Sequence, residues 1–136
     1  MAGSEHDQEL DKCTVVVTCA VLRRTPAGVQ TLILKRAESE QEGPGLWTVP
    51  GGKVRLSDLG HQLGPGNLSH AIWTDVLSRA ILREIHEETG LGAKMVGPVI
   101  LPSRDKIFLR KDGTPTLVLV FWTVQYFGPE PRPGEG

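Results

Sequence analysis

An α/β fold is predicted for this chain of 136 residues: a mixed sheet with one helix laid on a face. Three observations predict it. A valine-rich run opens the chain, further strand-like runs close it, and between them lies one stretch with a sustained helical period. At this length the chain is one domain with room for a real core. Apolar residues make up 39% and charged residues 23%, as in a globular protein. The formal net charge is −1, so no global charge points to a nucleic-acid polymer or a membrane surface as partner. No run approaches the length of a membrane-spanning helix. Met1 to Lys12 lacks the apolar run of a signal peptide, so a cytoplasmic location is expected.

The elements follow in order. Residues 1–12 read as a flexible tail before a domain over 13–127. Thr14 to Leu22 reads as a buried strand, and Gln30 to Arg36 as a second, hairpin-paired with it through Thr25-Pro26-Ala27-Gly28. Glu38 to Gly45 is a polar loop, and Leu46 to Val49 a short strand entering a Gly51-Gly52 turn. Arg55 to Ser69 has no sustained period and carries Gly60, Gly64, Pro65 and Gly66, so it reads as loop. The helix starts near Ser69 or Asp75 and runs to Thr89, with Val76, Leu77, Ala80, Ile81 and Ile85 as its apolar stripe and Gly90 as a left-handed cap. Lys94 to Leu101, Lys106 to Arg110 and Thr116 to Tyr126 read as strands, the last two joined through Asp112-Gly113. Residues 128–136, almost all Gly, Pro and Glu, read as a second flexible tail. Cys13 and Cys19 are six residues apart on one extended run, roughly 20 Å, too far for a disulfide, and read as reduced structural thiols.

The chemistry concentrates in Arg83-Glu84-Ile85-His86-Glu87-Glu88-Thr89-Gly90-Leu91. Glu84, Glu87 and Glu88 share one helical face by their i, i+3, i+4 spacing, where like charges repel by a few tenths of a kcal/mol per pair. Such a face is either well solvated or holds a cation. Mg²⁺ prefers oxygen ligands and takes a few carboxylates together with substrate phosphates. A carboxylate beside it could take a proton from an attacking water. Gly51 and Gly52, without side chains, let backbone approach a metal or phosphate closely. Arg83 could orient a carboxylate or meet a phosphate. Lys35, Arg36 and Lys53 could hold phosphates, or serve only as surface charge. Trp47 and Phe108 read as core aromatics rather than base-stacking ones.

Gly52 with Arg83, Glu84, Ile85, Glu87, Glu88, Gly90 and Leu91 resembles the signature of the Nudix hydrolases. That signature runs Gly, five residues, Glu, seven residues, then Arg-Glu-aliphatic-x-Glu-Glu-x-Gly-aliphatic. Every position from Arg83 to Leu91 agrees, and Leu46-Trp47-Thr48-Val49-Pro50-Gly51-Gly52-Lys53 is a typical lead-in. The resemblance implies an α/β/α sandwich around a mixed β-sheet, and hydrolysis, dependent on Mg²⁺ or Mn²⁺, of a nucleoside diphosphate linked to another moiety. It implies Glu84, Glu87 and Glu88 as metal ligands or base, with Glu88 the foremost ligand and Glu84 the foremost base. It adds the Gly51 carbonyl as a further ligand, Arg83 as an orienting residue and Asp105 as an acid from a downstream loop.

The chain departs from that pattern twice. The gap from Gly52 to Arg83 is 17 residues too long, and the Glu of the first half is missing. Asp58 keeps the five-residue spacing after Gly52, and Asp75 the seven-residue spacing before Arg83. Helix stiffness favours Asp75, with an inserted loop at about 56–73 holding His61, His70 and Trp73. The family's C-terminal helix is expected to be absent, since the residues after Gly128 are unsuited to one, which leaves room for a homodimer. A small nucleotide is the expected substrate. A non-catalytic nucleotide-binding module and an ADP-ribose or nucleotide-sugar pyrophosphatase are the alternatives.

Overall fold

The computed structural model describes residues 12–39, 45–60, 73–96 and 100–125. Seven strands and one α-helix are formed by these residues. They are β1 (Thr14–Thr25), β2 (Gly28–Thr31), β3 (Leu34–Lys35), β4 (Trp47–Thr48), β5 (Gly51–Lys53), α1 (Val76–Thr89), β6 (Leu101–Leu109) and β7 (Pro115–Val124). The main sheet is mixed. Its order is β2-β1-β7-β6, with β5 also paired to β1. β1 is antiparallel to β2 and β5 and parallel to β7, while β3 and β4 form a separate two-stranded ladder. The expected α/β class and the β1–β2 hairpin are therefore observed.

Alternation along β1 builds the core. Val17, Cys19 and Val21 point to one face and are buried against Ala80, Ile81 and Ile85 of α1, with Leu91 and Val96 closing the cluster. Cys19 is part of this core, and burial pushes its thiol pKa up to about 12. Cys13 lies just before β1 and is exposed, so only one of the two thiols is structural. The helix ends as expected: Gly90 adopts a left-handed φ of 78°, and its N–H donates to the His86 carbonyl at 2.9 Å.

Several boundaries differ from the sequence reading. The expected strand over Gln30 to Arg36 is broken at Leu32-Ile33 into β2 and β3, which pair with different partners. Gly51-Gly52 is not a turn but strand β5, hydrogen-bonded to β1 opposite Thr18 and Val17. The loop after it contains a 3-10 turn over Leu56–Leu59. The expected strand over Lys94 to Leu101 is not seen among its described residues: residues 93–95 form a turn, Val96 makes an isolated bridge to Gln125, β6 starts at Leu101, and residues 97–99 lie outside the described residues. Trp47 and Phe108 are not core aromatics, being 64% and 40% exposed. Their strands are a two-residue ladder and an edge strand whose residues are all exposed, so neither is covered on both faces. The tails at 1–11 and 126–136, and His61 and His70 in the inserted loop, lie outside the described residues.

Candidate active site

The helical period divides the three glutamates. At about 100° per residue, Glu84 and Glu88 stand one turn apart in line with Ile81 and Ile85, whereas Glu87 is rotated toward the rim. Glu84 is accordingly only 6% exposed and Glu88 half-buried, while Glu87 is exposed. α1 packs against β1, β5 and the 3-10 turn, and this brings Glu84 up against Gly52. A Cβ at residue 52 would overlap the Glu84 carboxylate, so glycine there leaves that carboxylate free to lie against the strand.

Glu88 shows what the pairing costs. Burial, then hydrogen bonding to Glu84 and the nearby Glu84 charge, raise its pKa to about 8. The Gly51 N–H donates to it and Arg36 adds favourable charge, which offsets only part of the rise. Two carboxylates held together in a half-buried place, beside backbone and with one driven toward its protonated form, are a donor set suited to a divalent cation. Mg²⁺ in particular uses one or two carboxylates and leaves its other positions to water and phosphate. Among the described residues no group of three or more His, Cys, Asp or Glu is placed to hold a metal ion, so the expected trio of Glu84, Glu87 and Glu88 is not gathered as one ligand set. The pair, with main chain at Gly51, is the group of oxygen atoms here that could contribute to holding a cation.

Arg83 organises the acids. Its Nε donates to Asp58 Oδ1 at 2.7 Å and its Nη2 to Asp58 Oδ2 at 2.9 Å, a bidentate pair with the Asp58 side chain 3% exposed. Its Nη1 reaches Glu84 Oε1 at 2.6 Å and Glu87 Oε2 at 3.3 Å, and its Nη2 also donates to the Lys53 carbonyl at 3.0 Å. Arg55 takes the other Glu87 oxygen at 3.2 Å. Asp58 Oδ2 further accepts the Arg55 N–H at 2.7 Å. The Arg83 hydrogen bonds, with smaller help from Arg55, hold the Asp58 carboxyl below the usual carboxylate range, and Asp58 in turn raises the Arg83 pKa.

This corrects the preference for Asp75. Asp75 is the exposed residue preceding α1, in a left-handed conformation with φ 58°, and its side chain makes no cap hydrogen bond. Its Cα sits beyond the start of the helix, two turns from Arg83, whereas the 3-10 turn carries Asp58 directly against α1. The extra length therefore enters after Asp58, not before an acid that rides on the helix.

The other sequence candidates are distributed unevenly. Arg36, at the end of β3, is near enough for its charge to act on Glu88, while Lys35 is exposed on β3. Lys53 contributes its carbonyl to Arg83 and keeps an exposed side chain. Asp105 is exposed in the middle of β6, a strand that pairs with β7 and does not pack against α1. One cleft of about 400 Å³ opens near the far end of β1, lined by residues including Val21, Arg23, Gln30 and Gln125, and none of the glutamates lines it. Sequence reasoning missed Arg55 and Arg79. Arg79 carried a signal, since it stands four residues before Arg83 on the same helical face.

The NUDIX domain family model matches residues 14–136. No curated protein matches the chain. Among solved structures, a NUDIX hydrolase from Alicyclobacillus acidocaldarius superposes with a TM-score of 0.66 at 16% identity, over 93% of this chain and 76% of that one. The NUDIX domain of Shewanella oneidensis NrtR, complexed with ADP ribose, gives 0.65 at 13% identity, over 98% and 72%. A MutT NUDIX hydrolase from Burkholderia pseudomallei gives 0.60 at 23% identity, over 92% and 76%. At these identities the likeness is one of fold.

Proposed function

This chain belongs to the NUDIX family, and from that premise we propose that it hydrolyses a pyrophosphate bond in a nucleoside diphosphate linked to another moiety, with Mg²⁺ or Mn²⁺ as cofactor. Water attacks one phosphorus and the bridging oxygen leaves with the other phosphoryl group. The observation that carries this reading is the Glu84–Glu88 pair pressed beneath Gly51-Gly52. Glu88, Glu84 and the Gly51 carbonyl would hold the cation, which when bound polarises phosphoryl oxygen and offsets the charge of the substrate. Glu84 takes the proton of the attacking water. Arg83, itself fixed by Asp58, orients Glu84 through the 2.6 Å contact, and Glu87 holds the outer side of the same guanidinium. Arg36, Lys35 and Lys53 supply positive charge toward the substrate phosphates.

A panel of nucleoside triphosphates, dinucleoside polyphosphates and ADP-ribose, each with Mg²⁺ and with Mn²⁺, tests the assignment. Turnover of at least one class is expected, abolished by EDTA, with Glu84→Gln lowering kcat by about 10²-fold or more. Full activity in EDTA, or in the Glu84→Gln variant, would overturn it. ADP-ribose belongs in the panel because the NrtR domain was solved with that ligand. Calorimetric binding without turnover under either metal would favour a nucleotide-binding module instead.

A further inference from the structure

We propose that Arg79 is a positioning residue that clasps the two feet of the inserted loop, so that the lengthened segment leaves Asp58 and the site it supports undisturbed. The inference rests on the site reading given above but on different contacts. Arg79 Nε donates to the Asp58 carbonyl at 2.7 Å. Its Nη2 donates to the Leu59 carbonyl and to the Thr74 carbonyl, both at 2.5 Å. Asp58 and Leu59 are the last residues before the excursion, and Thr74 lies at its return, one residue before the turn that starts α1. One guanidinium therefore closes the excursion at its base. Gly60, with φ 69°, permits the contact: a Cβ there would come within 2.8 Å of Arg79 Nε.

Arg79 and Arg83 are i and i+4 on α1 and share one target. Arg79 holds the backbone of Asp58 and Arg83 holds its carboxylate. The carboxylate fixes Arg83, and Arg83 contacts Glu84. Arg79 therefore ties Asp58, Leu59 and Thr74 to the helix that also carries Glu84 and Glu88. Arginine suits the task, since its planar fork serves several carbonyls at once where a lysine ammonium is a point charge.

Hydrogen exchange of the full chain tests the clasp without reference to turnover. In Arg79→Gln, amides over residues 55–60 and 74–76 should exchange about tenfold faster or more, the scale of one charge-assisted hydrogen bond, while β1 and β7 keep their protection. Arg79→Lys should fall between the two. Gly60→Ala, which pushes the guanidinium from the other side, should loosen the same segments. Mn²⁺ affinity, followed by the EPR signal of free Mn²⁺, should weaken severalfold in Arg79→Gln. Unchanged exchange at residues 55–60 in both variants would overturn the clasp, as would faster exchange spread evenly over the chain, which marks general destabilisation. Local loosening with unaltered Mn²⁺ affinity would overturn the positioning role. A wild-type chain that binds no Mn²⁺ would count against the metal-site reading, and the exchange pattern would still decide the clasp.

Discussion

Asp58 and Asp75 flank the same inserted segment and fit the same spacing rule from opposite sides, yet the fold treats them in opposite ways. Asp58 is buried and its carboxylate accepts three hydrogen bonds, two from Arg83 and one from the Arg55 backbone. Asp75 is exposed, left-handed, and its side chain caps nothing. Position along a rigid helix counted for less than which acid the tertiary fold could bring to Arg83. Asp58 stands on a strand-anchored turn, because β5 is fixed to β1 and α1 packs on both β5 and the turn. An insertion is tolerated where it separates that anchored turn from the helix start, since neither partner of the ion pair has to move.

The contrast is sharpest in stability. Asp58→Asn weakens a bidentate charged pair while Arg83 keeps Glu84 and Glu87, which costs about 1–3 kcal/mol for hydrogen bonds to a charged group. A fall in melting temperature on the order of 10 °C is expected. Asp75→Asn should stay within about 0.5 kcal/mol. Equal effects on thermal unfolding would break the comparison.

A smaller difference is expected in the acid limb. Asp58 has its folded-state pKa below the ordinary carboxylate value, so the unfolded chain binds the extra proton as pH falls. The stability this adds is full above the unfolded pKa near 3.8 and is lost as pH drops through the folded value. Asp58→Asn should flatten unfolding below about pH 4. Identical limbs in the wild type and Asp58→Asn would count against the burial of this pair. The smallest effect concerns backbone strain: Asp75→Gly removes a left-handed non-glycine residue and should stabilise by about 1 kcal/mol at most.

Much of the fold was legible because it follows from local chemistry. The valine-rich run of β1, the stripe from Val76 to Ile85 and the Gly90 cap each depend on neighbours in sequence. So does the half-signature at Arg83 to Leu91, whose three glutamates lie on one helix. What the sequence left hidden depends on what packs above a residue. Gly51-Gly52 reads as a turn by composition but is drawn into the sheet by β1. Trp47 and Phe108 look like core residues until their strands prove to be a short ladder and an edge. The separation of Glu87 from Glu84 and Glu88 needs the direction of the sheet, which fixes which part of an acidic face turns inward. Arg79 is an ordinary helical arginine until the feet of the excursion meet it.

On the proposed function, Glu88 and Glu84 together hold the cation. Burial and the adjacent Glu84 raise the Glu88 pKa to about 8, which favours one proton shared by the metal-free pair near neutral pH. A cation must displace it. Calorimetric Mn²⁺ titrations at pH 7 in two buffers of different ionisation enthalpy measure this directly. The account predicts release of about one proton per Mn²⁺ bound by the wild type, and loss of both the binding and the release in Glu88→Gln. Mn²⁺ binding of unchanged affinity in Glu88→Gln, or binding by the wild type without proton release, would contradict it.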